Sequence, residues 1–376
     1  MLHMALKASR SRFGSEHGTQ PITGSYAPED CRFLLTPLPP RFVSIAEKER
    51  LIQREGRHYS EMISREAAPD AAYLELFRTL TMRYRERLAD EILRLAARIA
   101  ATRRAPITLV SLARAGTPFG ALLRRALADR LGVAARHFSI SIIRDRGIDT
   151  NALRYILDSA QSGPAGIVFA DAWTAKGVIT RELKRAIADW NQREAPSLDD
   201  RLYVLSDIGG CADVAATYDD YAIPSGILNA TVSGLVSRSI LNAEIAPHQF
   251  HGCVIYEDLA PYDQTGWYLD QIMSAMPKGP PGPLPEDRRE ERAAATATCL
   301  RRWRRDYRIE DLNLIKPGVA EATRVMLRRI PQRLILRDPN HADVVHLQLL
   351  AERKRVPVVI DAQMPFNAAA FIQLAD

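Results

Sequence analysis

The sequence predicts an α/β fold: a parallel, doubly wound sheet followed by a small C-terminal α/β module. Three observations carry this expectation. Apolar runs of strand length alternate with helical runs between residues 107 and 276, a pattern that builds parallel sheets flanked by helices. The Pro- and Gly-rich tract 277–285 cannot continue a helix or pair in a central strand. At 376 residues the chain exceeds what one core usually encloses.

Residues 1–23 are expected to form a mobile tail; 1–18 are polar and basic, without the apolar stretch of a secretory signal. Residues 31–66 show little periodicity and are expected to form a hood over the sheet's carboxyl edge. Apolar residues at helical spacing (Leu80, Tyr84, Leu88, Ile92, Leu95, Ile99) predict a long amphipathic helix over 76–101. Strands are expected near 107–112, 138–143, 167–170, 202–205 and 254–256, with helices near 117–131, 151–159, 178–190 and 262–276. The first domain is placed at 24–276 and a Pro-rich, charged linker at 277–300. The module at 301–376 is expected to hold helices at 301–312, 319–328 and 342–353, with strands at 334–336 and 356–360.

Residues 1–287 carry 34 basic and 34 acidic side chains, 288–337 carry 14 and 6, and 338–376 carry 3 and 5, so one block holds the whole net charge of +6. A neutral body joined to a basic segment suits a polyanion-binding part. Within it Lys316, Arg324, Arg328 and Arg329 fall at about one-turn spacing, which predicts a positive surface strip near the aromatics Trp303 and Tyr307. A solvated helix face gives the same pattern. No run approaches the roughly 18 apolar residues of a membrane span, so no membrane partner is expected. Cys31, Cys211, Cys253 and Cys299 lie far apart without metal-ligand spacing, as in a reduced cytoplasmic protein. Mg²⁺ arriving with a phosphorylated substrate is compatible with this chain.

Two segments carry the chemistry. In residues 167–179 an apolar strand delivers Asp171 to a sheet edge, and Trp173, Thr174, Ala175, Lys176, Gly177 and Val178 open a helix whose N-terminal amides attract anions. In residues 107–118 another strand, carrying Ser111, breaks at Arg114, Ala115, Gly116 and Thr117 before a helix. Two such turns about 60 residues apart are what a switch point needs to grip both ends of a phosphorylated ligand. Many strand-to-helix turns of this composition bind nothing.

Further candidates lie near the same edge. Arg144 and Asp145 follow a strongly apolar strand, and a guanidinium fork suits phosphate while a carboxylate suits ribose hydroxyls or metal; a salt-bridge network around a turn reads the same. His58 lies in a weakly periodic segment and titrates near neutrality. Asp207 ends a strand ahead of Cys211, a thiol where a helix is expected to begin, and Cys253 starts an apolar run; either is a candidate nucleophile with His58 or His251 as base. Ser225 and Asn229 belong to a small polar tract suited to a nucleobase or sugar, or to capping short helices.

The two turns resemble the pyrophosphate and phosphoribosyl-pyrophosphate loops of type I phosphoribosyltransferases. The chain departs from that pattern: Ala170 replaces the first acid of the second loop, Thr174 a later one, and residues 175–178 the usual phosphate cradle. A narrower resemblance covers almost the whole chain. Ser111-Leu-Ala-Arg-Ala-Gly-Thr-Pro118, Asp171-Ala-Trp-Thr-Ala-Lys-Gly177, Ser233-Gly-Leu-Val-Ser-Arg238 and Ile315-Lys-Pro-Gly-Val-Ala-Glu-Ala-Thr-Arg324 are similar to words of the phosphoribosyltransferase-like proteins with a C-terminal Pelota-type RNA-binding domain, the StiP stress-induced family of tellurium-resistance operons.

The resemblance implies a sheet of the type I phosphoribosyltransferase kind and nucleotide or ribonucleoside chemistry on phosphoribosyl pyrophosphate with Mg²⁺. Residues 174–178 would hold the ribose 5-phosphate, Asp171 the ribose hydroxyls or metal, and 114–117 the pyrophosphate. RNA would bind the C-terminal domain, and a homodimer stays open. The family name also carries a cysteine-protease label, and the missing acids leave room for a ligand-sensing RNA-binding regulator without catalysis.

Overall fold

The computed structural model describes residues 20–159 and 163–374. Of the expected tail, 1–19 lie outside the described residues, whereas Ile22 is not loose and pairs with Phe33. The chain continues through β1 (Arg32–Leu34), β2 (Thr36–Pro37) and α1 (Ile45–Glu55), where Ser44 accepts a hydrogen bond from Glu47 N and Gly56 closes the helix in the left-handed region. Helix α2 (Ala71–Thr102) starts at Asp70, whose carboxylate accepts from Tyr73 N at 2.9 Å, and its apolar stripe is buried.

Strand and helix then alternate: β3 (Ile107–Ala113), α3 (Gly116–Arg125), β4 (Ala135–Ile143), β5 (Gly147–Ile148), α4 (Thr150–Ser159), β6 (Ile167–Thr174), α5 (Val178–Arg193), β7 (Leu202–Asp207) and β8 (Val214–Thr217). The parallel sheet runs β1-β4-β3-β6-β7-β8, with β5 antiparallel on β4. Strands β3, β6 and β7 are buried on both faces, which is why they read as near-continuous apolar runs. The order reverses direction between β3 and β6, so the switch point lies where both chemical turns emerge.

Several expectations are corrected. Strand β6 does not stop at Ala170; its ladder with β7 continues to Trp173–Ser206 and Thr174–Asp207. Asp171 interrupts the apolar run but not the strand, because backbone pairing is indifferent to that side chain. Short β8 escaped the sequence reading, and 254–256 is no strand of this sheet: β9 (Gly252–Cys253) pairs with β2 in a separate ladder. Helix α6 (Thr265–Ser274) follows.

The expected linker over 277–300 is extended only as far as 288. Helix α7 (Arg289–Asp306) takes the rest, since its Ala-rich first half favours helix and Thr296, Cys299 and Trp303 give it a buried stripe. Beyond it come β10 (Ile315–Pro317), α8 (Val319–Arg328), β11 (Pro331–Leu336), α9 (Val345–Lys354), β12 (Val358–Ile360) and β13 (Ala368–Ile372), forming a sheet ordered β10-β13-β11-β12.

This C-terminal module is docked by buried and part-buried hydrogen bonds. Asp220 accepts from Val319 N at 2.8 Å and Asn367 N at 2.7 Å, satisfying the N-terminus of α8 from the other module. Asp343 accepts from Ala222 N at 3.1 Å and from the Tyr84 hydroxyl. Apolar residues of α8, β11 and α9 join those of α2, α3 and the main sheet in one core. Among the described residues no helix is long and apolar enough to cross a membrane.

Candidate anion site between the sheet and the C-terminal module

Docking places α8 across the carboxyl edge of β6 and forms an open-mouthed cavity of about 400 Å³. From the main body Lys48 on α1, Arg144, Lys176 and Arg238 reach its wall, and the module adds Lys316, Arg324, Arg328 and Arg329. Against these eight cations stand two carboxylates, Asp311 and Glu321. The turn 174–178 forms one side, with Gly177 in the left-handed region at the start of α5. A Cβ there would lie 2.9 Å from Cys211 Sγ.

Half of the cations are paired. Arg324 binds Glu321 at 2.8 Å, Arg144 binds Asp145 at 3.0 Å, Arg329 binds Glu49, and Arg328 lies 3.7 Å from Glu66. The Arg328 Nε is buried without a hydrogen-bond acceptor. Lys48, Lys176, Arg238 and Lys316 form no ion pair among the described residues. Lys48 donates to Arg328 O at 3.3 Å, Lys176 to Leu312 O at 2.5 Å and Ile315 O at 2.7 Å, and Arg238 to Tyr59 O at 2.7 Å.

Their protonation reflects this. Burial, seconded by Arg238 and Arg329, pushes Lys48 down to about 8. Burial and then Lys316 push Lys176 down to about 7, and burial lowers Lys316 as well. For Glu321 burial works upward, but Arg324, Lys316 and the Trp173 Nε1 bond at 3.1 Å outweigh it and hold the carboxyl down at about 2.

The other turn is arranged differently. Arg114 donates to Glu66 Oε1 at 2.6 Å and to Val236 O at 2.9 Å, while Glu66 also accepts from Ala230 N at 2.9 Å. Ser111 Oγ bonds His137 Nε2 at 2.7 Å and Thr117 Oγ1 bonds Ser139 Oγ at 2.7 Å, both buried beneath the sheet edge. Gly116 lies so close to β6 that a Cβ would meet Ala170 O at 2.9 Å. Arg114, Ala115, Ser225 and Asn229 line only a void of about 20 Å³, separated from the main cavity by Trp173, Arg324 and Arg328, which border both. The expected pyrophosphate grip is therefore filled by protein groups.

The other candidates have partners within the protein. Asp171 lines neither space; burial pushes its carboxyl up to about 7, and it accepts from Ala172 N at 2.8 Å. His58 spends both ring nitrogens on Ser60 Oγ at 2.8 Å and Arg144 O at 3.0 Å, as the cap of a short turn. Asp145 points outward beside Arg144, and Asp207 accepts from Cys211 N and Ala212 N at 2.8 Å each, bracing a turn. Lys316, Arg324, Arg328 and Arg329 do not form an exposed strip: the apolar face of α8 packs inward and carries the neighbouring cations into the cavity wall.

Among the described residues no three of His, Cys, Asp and Glu converge into a protein cage for a metal; Mg²⁺ carried in by a phosphorylated ligand is held chiefly by the phosphates and needs only one or two carboxylates. The cysteines are equally unpromising as nucleophiles. No helix begins at Cys211; its Sγ faces Gly209 O at 3.3 Å, and burial followed by Asp207 pushes it up to about 11. Burial pushes Cys253 up to about 12. Among the described residues neither thiol is hydrogen-bonded to a histidine. Lys48, Glu49, Glu66 and Glu321 carry no signal in the sequence, since they sit in the aperiodic hood or in a word whose polar members have no assigned partner, whereas Arg238 belongs to the small polar tract that includes Ser225 and Asn229.

A family model described as "Tellurite-like stress resistance cysteine protease StiP" matches residues 24–273, and one described as "PELOTA RNA binding domain" matches 294–374. A protein of Acinetobacter baylyi named "Cysteine protease StiP" is 40% identical over 368 residues, covering 94% of this chain and 95% of that protein. Among solved structures, hypoxanthine phosphoribosyltransferase of Trypanosoma cruzi is similar at 21% identity over 35% of this chain and 77% of that one, with a TM-score of 0.27. The HGPRT-ase of Leishmania tarentolae in complex with GMP is similar at 19% identity over 46% and 94%, with a TM-score of 0.28.

Proposed function

The chain belongs to the tellurite-like stress-resistance StiP family, and from that premise we propose that it is a phosphoribosyltransferase-like enzyme of nucleotide or ribonucleoside metabolism. It binds a phosphorylated ribose or nucleotide in the interdomain cavity and RNA through the C-terminal module, in a reducing cytoplasm that suits its four free thiols. The observation that carries the reading is the set of four wall cations, Lys48, Lys176, Arg238 and Lys316, that form no ion pair among the described residues around one open-mouthed cavity. Buried charge without a partner costs several kcal/mol per ion, and a ligand bearing several phosphate charges offsets that cost.

In this reading the backbone of 174–178 with Lys176 receives one phosphate, while Arg144 and Lys316 face a second. Displacement at an anomeric carbon builds positive charge on the sugar and negative charge on the departing phosphate. Preformed cations stabilise the latter without reorganisation. No step is assigned to Mg²⁺ or to Asp171. Calorimetry of phosphoribosyl pyrophosphate, ribose 5-phosphate and nucleotides against wild type and Arg238→Ala tests the site. Binding lost in the variant supports it, and a well-folded wild type that binds none of them sinks it.

The relative's name favours a second reading, a cysteine peptidase. Its test is peptidase activity of Cys211→Ser and Cys253→Ser, one of which must be inactive. Burial and the raised thiols weigh against it.

A further inference from the structure

The cavity is open, and a basic exposed stretch of the module lies close to it in the chain. Helix α7 ends at Asp306, and its last turns present Arg301, Arg304 and Arg305 to solvent, followed by exposed Arg308. Arg301, Arg304 and Arg308 form no ion pair among the described residues. Only three residues beyond Arg308 stands Asp311, on the cavity wall together with Asn313, and three residues of chain span at most about 10 Å. Exposed cations without an ion pair therefore stand, across a stretch that also carries Asp306 and Glu310, within short chain reach of a cavity wall that holds four interior cations without one.

That space also offers flat rings. Trp173 is half-buried on the wall with the Arg324 guanidinium 5.7 Å from its centroid, and Tyr59 is flanked by Arg144 at 5.4 Å and Arg238 at 5.5 Å. Rings beside cations are what a nucleotide unit requires: stacking for the base and charge for the phosphate. A volume of about 400 Å³ takes one nucleotide and excludes a folded strand. The module's own cations, Lys316, Arg324 and Arg328, face inward here, so the part expected to grip RNA also builds the cavity.

We infer that the substrate of the cavity is the phosphate-bearing end of a single RNA strand, whose preceding nucleotides lie along the exposed end of α7. This rests on the reading that the cavity takes a phosphorylated ribose, and it names an RNA terminus as the form in which that group arrives. Surface cations supply contacts that ignore the end group, and interior cations supply discrimination for a terminal phosphate.

The test uses the full chain and oligoribonucleotides of one sequence, about ten nucleotides long, bearing a 5′-phosphate, a 3′-phosphate or hydroxyls at both ends. One phosphorylated end is expected to bind about tenfold or more tighter than hydroxyl-ended RNA and to be displaced by phosphoribosyl pyrophosphate; which end does so identifies the polarity. Lys316→Ala, or Lys316→Met if alanine disturbs folding, should erase that preference while leaving hydroxyl-ended RNA bound. Arg304→Ala with Arg308→Ala should weaken all three RNAs alike and leave phosphoribosyl pyrophosphate affinity unchanged. Equal affinity for the three RNAs, with phosphoribosyl pyrophosphate still bound in a Lys316-dependent way, overturns the inference and leaves the cavity reading standing. Failure of every phosphorylated ligand to bind overturns both.

Discussion

The turn at 114–117 and the turn at 175–177 follow neighbouring parallel strands and carry the same kinds of residue, yet they end in opposite circumstances. Arg114 meets Glu66, Val236 O and a void too small for a ligand; Lys176 meets two carbonyls and a cavity wall shared with seven other cations. A cation at a sheet edge is left without an ion pair only where the fold withholds a carboxylate. Here the hood supplies Glu66 to one turn, and the C-terminal module supplies further cations to the other.

The largest effect that probes this contrast is expected from Glu66→Ala. It leaves Arg114 and Arg328 buried without their shared acid, so urea unfolding should show a loss of about 3–5 kcal/mol. Lys316→Met should act in the opposite direction on the unliganded protein, which loses an unpaired buried charge and melts higher. The same change should weaken phosphoribosyl pyrophosphate about 10- to 100-fold by calorimetry, the worth of a charge-assisted hydrogen bond. A variant that melts lower and binds normally would erase the distinction between the two turns.

Proton linkage sharpens it further. Folded Lys48 and Lys176 titrate at about 8 and about 7, below the ordinary lysine range, so between about pH 7 and 10 the unfolded chain holds more protons than the folded one. Stability of the unliganded protein from this source therefore rises with pH across that window. Polyanion binding restores the protons, so affinity should strengthen as pH falls from about 8.5 to 7, by up to about tenfold per unit for each proton taken up. Calorimetry in buffers of different ionisation enthalpy reads that uptake directly; none would mean the lysines do not face the ligand.

The smallest effect is expected from Asp171→Asn. With its carboxyl raised to about 7 by burial and facing no cavity, the isosteric amide should change ligand affinity less than about twofold and stability by less than about 1 kcal/mol. Loss of binding would restore the ribose-hydroxyl role that its position in the sequence suggests.

Periodicity and punctuation made most of the sheet and its helices legible, because buried parallel strands must be apolar and the helices between them amphipathic. The strand ends were less so. Asp171 looked like a terminus although ladder pairing carried β6 on to Thr174, and Ala-rich α7 was concealed in what looked like linker. Of the site, Thr174 to Val178 and Arg144 were legible because they follow apolar strands. Lys48 and Glu66 were not, since nothing local to them indicates a partner, and Arg238 was legible only as one member of a small polar tract.

What the sequence determined by itself is the alternation of elements, the place of the switch point and the concentration of charge in residues 288–337. What only the tertiary structure decided is where that charge faces. Docking through Asp220 and Asp343 turns α8 across the sheet edge, so Lys316, Arg324 and Arg328 line a cavity rather than an outer surface. The reason is physical: hydrophobic periodicity is local and survives in the linear chain, whereas the pairing of a charge depends on residues hundreds of positions away, brought into contact only when the two modules close.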